Sequence, residues 1–303
     1  MNFSDNKPLN RILNGLFVPY AKRVPDVKAV SLEMKNLGVI SKQEDIVNDH
    51  IAFRTLGIPN LGISSFERIF LHHGYTKQDH YFFPKKKLDA YWYKPPHDGY
   101  PRVFISELKV ETLSKQAQQI IHHYTKNIQE DPVNQIDLDN ADVVISFLHK
   151  ALWALPRLAD YNALLTESEY GAWVLYNRYY LNHYTISVHE LPAPYNELTS
   201  FNKFIKSIGI KLNDAGGEIK ISRDRLLRQS STVAKSIQAT FADGDTAEIA
   251  GSYVEFAERL PLPKYKNLPK EKLTNSHRRE GFETGNADKI FESTFREQIN
   301  RDS

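Results

Sequence analysis

Residues 46–56, IVNDHIAFRTL, carry the alternation of a β-strand with two different faces. Strand side chains point to opposite sides with period two, so His50, Ala52 and Arg54 share one face while Ile51 and Phe53 share the other. The second set reads as core. The first puts an imidazole and a guanidinium on one side of a strand, as expected of a strand that lines a cavity. In the following stretch, NLGISSFERIFLHHG, Ile63, Phe66 and Phe70 recur at helical spacing and Gly74 stands where a left-handed cap would end the helix. Three strand-like runs come next, YTKQDHYFF, KLDAYWYKP and RVFISELKV, punctuated by Pro, Lys and Gly-containing turns. The order is βαβββ.

The same order returns from NRYYLNHYTISVHEL, where His183 takes the place of His50. A helix follows in NELTSFNKFIKSIG, with Leu198, Phe201, Ile205 and Ile208 on one stripe and Gly209 at its end. Extended runs then occupy LLRQSSTVAKSIQATFA, TAEIA and GSYVEFAERL. Glu107 lies on the last strand of the first unit and Glu255 on that of the second, which pairs them as symmetry mates. A tandem repeat of this kind predicts an α+β fold in which two βαβββ modules curve into one half-open barrel. The chain divides into N-terminal helices packing on the barrel (1–40, with helices near 8–22 and 25–38), a first module (41–110), a helical insertion (111–178), a second module (179–262) and a polar tail (263–303). All five are expected to form one structural domain. The tail is expected to wrap over the barrel and end in a short helix, and its residues offer no chemistry to argue from.

With 41% hydrophobic residues among 303, the chain can bury a substantial core. Its 39 basic and 37 acidic residues nearly cancel to +2, which gives no global field for nucleic acid or an anionic membrane. There are no cysteines, so disulfides, thiolate metal sites and a cysteine nucleophile are excluded, and any metal must be held by His, Asp or Glu. No run approaches the ~20 apolar residues of a membrane-spanning helix. The N-terminus lacks a secretory pattern. A cytoplasmic location is the expectation from these features.

If the sheet closes on itself, His50, His183 and Glu255 converge from three strands on one cavity. Two imidazoles and one carboxylate form a facial triad with open positions, the donor set of non-haem Fe(II) oxygen chemistry. Glu107 is then a fourth ligand or an acceptor behind the ligands, and Glu258 replaces Glu255 if the last strand slips by one residue. His72, His73, His122 and His123 lie on helices without a carboxylate at ligand spacing. An inward Arg54 must meet an anion, because a desolvated charge needs a partner: an internal carboxylate such as Glu107, or the carboxylate of a substrate. Gln229 and Ser231 are the neutral groups expected to face the cavity and orient a polar substrate.

The blocks NDHIAFRT, LNHYTISV, GGEIKISRDRLLRQSSTVA and YVEFAER, in this order, resemble the 2-oxoadipate dioxygenase/decarboxylase family of the vicinal oxygen chelate superfamily. The resemblance covers roughly residues 40–260, and well-described members are longer. It implies metal ligands at His50, His183 and Glu255, a substrate-binding arginine at Arg54, and Fe(II) as cofactor, with Zn²⁺ or Ni²⁺ as possible occupants of purified protein. The implied reaction turns 2-oxoadipate and O₂ into 2-hydroxyglutarate and CO₂ in lysine catabolism, with the 2-oxo acid and O₂ as the partners. Two other readings share the scaffold: a glyoxalase-like metal-dependent isomerase or hydrolase, and a non-catalytic protein that binds a small acid.

Overall fold

A computed structural model describes Phe3 and residues 5–301; residues 1, 2 and 4 of the N-terminal segment and 302 and 303 of the tail lie outside the described residues. Two helices open the chain, α1 (Pro8–Arg23) and α2 (Pro25–Asn36), each with proline in its first turn, where the missing N–H costs nothing. The first module follows as β1 (Asn48–Leu56), α3 (Ile63–His72), β2 (Thr76–Phe83), β3 (Leu88–Lys94) and β4 (Arg102–Leu108). The segment after it is helical, with α4 (Lys115–Thr125), α5 (Ala141–His149), α6 (Leu158–Glu167) and α7 (Glu169–Asn177). Of these, α6 buries only Tyr161 and Leu164. The second module holds β5 (His183–Ser187), α8 (Leu198–Ser207), β6 (Lys220–Ile221), β7 (Leu227–Ser231), β8 (Ser236–Thr240), β9 (Thr246–Ala250) and β10 (Tyr253–Arg259). Short 3₁₀ turns, α9 (Thr284–Ile290) and α10 (Arg296–Ile299) complete the chain.

Eight strands form one sheet in the order β2-β3-β4-β1-β5-β10-β7-β6. The two halves are mirror orders of the same module: β1 pairs in parallel with β4, β5 pairs in parallel with β10, and β1 meets β5 antiparallel at the seam. This is the curled half-barrel expected from the repeat. One detail differs. The runs 236–240 and 246–250 leave the sheet as a separate hairpin, β8 with β9, and the edge position falls to the two-residue β6.

Each module helix packs its apolar stripe on the outer face of the sheet. Ile63, Phe66, Ile69 and Phe70 are buried along α3, and Leu198, Phe201, Phe204 and Ile205 along α8. Phe66 and Phe70 are 0% exposed, and each contributes about 2–3 kcal/mol by leaving water. Gly74 and Gly209 follow these helices with φ of 86° and 76°, a left-handed conformation in which a Cβ would be strained. With the outer face committed to helices, the inner face of the seam is left to enclose a cavity.

Candidate metal centre and cavity

The seam strands bring the three expected donors together. His50 lies on β1, His183 begins β5, and Glu255 is on β10, with Ala52 opposite His183 and Thr185 opposite Glu255. One donor atom from each residue lies within 4.8 Å of the others, the one such group among the described residues. Glu255 Oε2 stands 3.5 Å from His50 Nε2 and 3.1 Å from His183 Nε2. All three are buried, and Glu255, at 1% exposed, is turned firmly inward.

The residue before each histidine holds its other ring nitrogen. His50 Nδ1 meets Asp49 Oδ1 at 2.8 Å, and His183 Nδ1 meets Asn182 Oδ1 at 2.9 Å. Strict strand alternation would turn Asp49 away from His50, but β1 gains one residue on β5 between Asn48 and Ile51, and this bulge re-aims the side chains. An acceptor at Nδ1 keeps the proton there and presents the Nε2 lone pair to the cavity, the usual arrangement behind a metal-binding histidine. The Thr185 hydroxyl contacts His50 Nε2 at 3.0 Å, a hydrogen bond that a cation on that nitrogen would displace.

The charges of the group are mutually adjusted. Burial pushes His183 down to about 4 against the pull of Glu255, so it is neutral at pH 7. Burial acts on His50 in the same direction, but Glu255 and the Asp49 hydrogen bond outweigh it and raise its pKa. Burial would lift the Glu255 carboxyl, yet the two imidazoles hold it at about 2. Two imidazole nitrogens and an ionised carboxylate, with both Nδ1 atoms already engaged, fit a divalent cation that keeps open positions.

Behind His50 lies a buried ion pair the sequence did not announce. Arg259 donates to both Asp49 oxygens, Nε to Oδ2 at 2.6 Å and Nη2 to Oδ1 at 2.9 Å, and Arg102 approaches Oδ2 at 3.6 Å. Burial opposes the Asp49 charge, but the two guanidiniums hold its carboxyl well below the usual carboxylate range. Arg259 Nη1 also donates to the carbonyls of Arg279 and Gly281, at 3.0 and 2.7 Å, and so ties the C-terminal segment to the metal centre. Replacing Arg259 with Met strands a carboxylate that is 1% exposed, and a loss of about 3–5 kcal/mol is expected, read as a lower urea midpoint at unchanged slope.

Arg54 is 1% exposed and lines the same cavity. Its Nη1 donates to Thr294 Oγ1 at 2.9 Å and its Nη2 to the Phe291 carbonyl at 3.2 Å; no carboxylate of the described residues lies within 4.0 Å of it. Tyr170, Trp173 and Phe291 surround the guanidinium at 5.1, 5.2 and 5.6 Å, so its charge rests on ring faces rather than on an anion. Among the described residues its Nε and the Tyr253 hydroxyl form no hydrogen bond of normal geometry, although the two side chains are close neighbours. The internal ion pair considered for Arg54 is therefore absent among the described residues.

Gln229 lines the cavity, donating from Nε2 to Glu255 Oε1 at 2.7 Å and accepting from Asn286 Nδ2 at 3.1 Å. It braces the carboxylate. Ser231 opposes Glu255 on β7, but its hydroxyl is spent on Ser293 Oγ at 2.8 Å. Phe282, Asn286, Ile290, Phe291 and Thr294 all belong to the tail, and Phe282 meets His50 edge-on at 4.8 Å. The tail, whose role the sequence left open, thus walls the cavity and engages Arg54 and Gln229.

Glu107 requires a correction. It faces away from the histidines and accepts from the Ile63 N–H at 2.7 Å, at the start of α3. Glu258 does the same for α8, accepting from the Leu198 N–H at 3.1 Å. Both place an anion at a helix N-terminus, where it is favoured. The register shows why. His183 opposes Tyr253 and His50 opposes Arg102, so the counterpart of Glu255 is Phe104 and the counterpart of Glu107 is Glu258.

His50, His183, Glu255 and Arg54 line one narrow cavity, walled by Phe104, Phe282, Ile290 and Phe291. The pattern that defines the 2-oxoadipate dioxygenase/decarboxylase family matches residues 12–275. The chain belongs to that family. Among relatives of this family member is the chloroplastic 2-oxoadipate dioxygenase/decarboxylase of Arabidopsis thaliana, 44% identical over 96% of this chain and 78% of the relative. The chloroplastic/amyloplastic enzyme of Oryza sativa subsp. japonica is also 44% identical, over 96% of this chain and 80% of its own length. The crystal structure of hydroxyglutarate synthase from Oryza sativa in complex with 2-oxoadipate superposes with a TM-score of 0.88 at 41% identity, covering 99% of this chain and 96% of that one. The plastid names of both plant relatives overturn the cytoplasmic expectation. Absence of cysteine and of a secretory pattern does not determine the compartment. No helix of the described residues is long and apolar enough to cross a membrane.

Proposed function

We propose that this family member converts 2-oxoadipate and O₂ into 2-hydroxyglutarate and CO₂, with Fe(II) held by His50, His183 and Glu255. The observation that carries this reading is Arg54, a buried cation without a carboxylate partner among the described residues, in a cavity that also holds a three-donor site. A 2-oxo diacid satisfies both. The relatives named for this activity, and the rice structure that holds 2-oxoadipate, support the choice of acid.

Bound at the triad, Fe(II) would supply Lewis acidity and electron transfer to O₂. The chain supplies the rest. Asp49 and Asn182 fix both imidazoles with Nε2 inward, and Gln229 braces Glu255 through Oε1, leaving Oε2 for the metal. His50 and Arg54 sit four residues apart on β1, roughly 13 Å between Cα atoms, and both side chains reach into the space between. Arg54 is accordingly assigned the distal carboxylate, with the Tyr253 hydroxyl as a second donor, so that the 2-oxo end is directed to the metal. Phe104, Phe282, Ile290 and Phe291 keep the space apolar and exclude water.

Anaerobically loaded iron protein given 2-oxoadipate is expected to consume O₂ and release CO₂ in equal amounts without added reductant. The reading is abandoned if neither gas changes across a panel of 2-oxo acids while iron is retained.

A further inference from the structure

The two residues that precede the histidines occupy equivalent places in the repeat but have different surroundings. Asp49 has both oxygens taken by Arg259, and it does not line the cavity. Asn182 does line it, is 1% exposed, and has an Nδ2 with no hydrogen-bond partner among the described residues. A buried amide donor left unpaired is destabilising, so its retention beside the donor triad calls for a partner that arrives from outside.

The orientation of this amide follows from its neighbour. A cation on His183 Nε2 requires the proton on Nδ1, which requires Asn182 Oδ1 to face the ring and leaves Nδ2 free. Asn182 precedes β5, where strand alternation does not yet apply, and adjacent residues 182 and 183 both border the cavity. Its backbone N–H donates to the Ala52 carbonyl at 3.0 Å, and its carbonyl accepts from the Tyr253 N–H at 3.3 Å. His183 opposes Ala52 on an antiparallel partner, so Asn182 stands level with Phe53, between the triad and Arg54.

We propose that Asn182 is a substrate-positioning residue with two duties: Oδ1 fixes His183, and Nδ2 donates a hydrogen bond to an oxygen of the bound 2-oxo acid. This rests on the functional reading above. It also explains why the two modules differ. A carboxylate at 182 would serve His183 as well as Asp49 serves His50, but it would lack an equivalent of Arg259 and would repel a dianionic substrate.

The test uses the iron-loaded enzyme and the variants Asn182→Asp and Asn182→Ala. Asn182→Asp keeps the acceptor for His183, so its metal content should match wild type, while KM for 2-oxoadipate and the anaerobic dissociation constant by calorimetry rise at least about tenfold, with a smaller change in kcat. Asn182→Ala loses both duties: metal affinity should fall about 10–100-fold, and at saturating metal the dissociation constant for 2-oxoadipate should still be raised about tenfold. The second variant decides the matter if the first does not fold. Wild-type affinity for 2-oxoadipate in metal-saturated Asn182→Ala overturns the inference. Failure of the wild-type enzyme itself to bind or turn over 2-oxoadipate overturns the functional reading instead.

Discussion

An Arg54→Met variant is expected to retain its metal and to lose about a thousandfold in kcat/KM for 2-oxoadipate, which corresponds to roughly 4 kcal/mol and lies in the range for deleting one partner of a desolvated charge pair. Met has a similar reach and suits the ring-lined environment of Tyr170, Trp173 and Phe291, so the fold should tolerate it. Burial already lowers the pKa of Arg54, a sign that the free protein holds this charge at a cost that an incoming carboxylate relieves. The same variant should discriminate less between 2-oxoadipate and a 2-oxo monoacid of equal length, because the distal carboxylate has lost its partner. Loss of metal on this substitution, or an unchanged kcat/KM, would place the substrate contact elsewhere.

Glu255→Gln should have the larger effect on the metal. The substitution keeps volume and leaves the cavity walls intact, but it removes the only charge of the donor set. Metal affinity is expected to drop by more than the 10–100-fold typical of losing an outer partner, measured by competition with a chromogenic chelator. The acid limb follows from the same group. The pKa of His50 is raised above 6.5 by Glu255, so in metal-free protein a proton competes for Nε2 from above that value downward. Metal retention in the wild type should therefore weaken as pH falls through this range and be complete above it. With Gln at 255 only the Asp49 contribution still raises His50, and the pH dependence of the remaining weak binding should move to lower pH.

Much of this site can be read in the chain because the fold repeats itself. His50 and His183 lie on equivalent strands, whereas the sequence left the carboxylate open between Glu255 and Glu258, since YVEFAER is apolar enough on both faces to allow either register. Glu107 was misjudged by matching last strands at their carboxylates rather than by register, a three-residue offset that also reverses the face. The Asp49 role was hidden by a bulge, since period-two counting sends the residue before a strand histidine outward. Arg259 stands in plain view in YVEFAER, but nothing local indicates that its partner lies 210 residues away. The tail was hardest to read. Phe282, Ile290 and Phe291 lie among 3₁₀ turns and polar residues, where neither helical nor strand periodicity marks a buried wall.

That wall has a bearing on how the protein comes to be active. Residues 279–295 leave the ribosome after both sheet halves, yet Arg259 waits for the carbonyls of Arg279 and Gly281, and Arg54 for Thr294. During synthesis the nascent chain can assemble its sheet while the oxygen-handling chamber is still a trough open to solvent. Sealing falls to a stretch made after the sheet, so the chamber closes only once translation has run past residue 295.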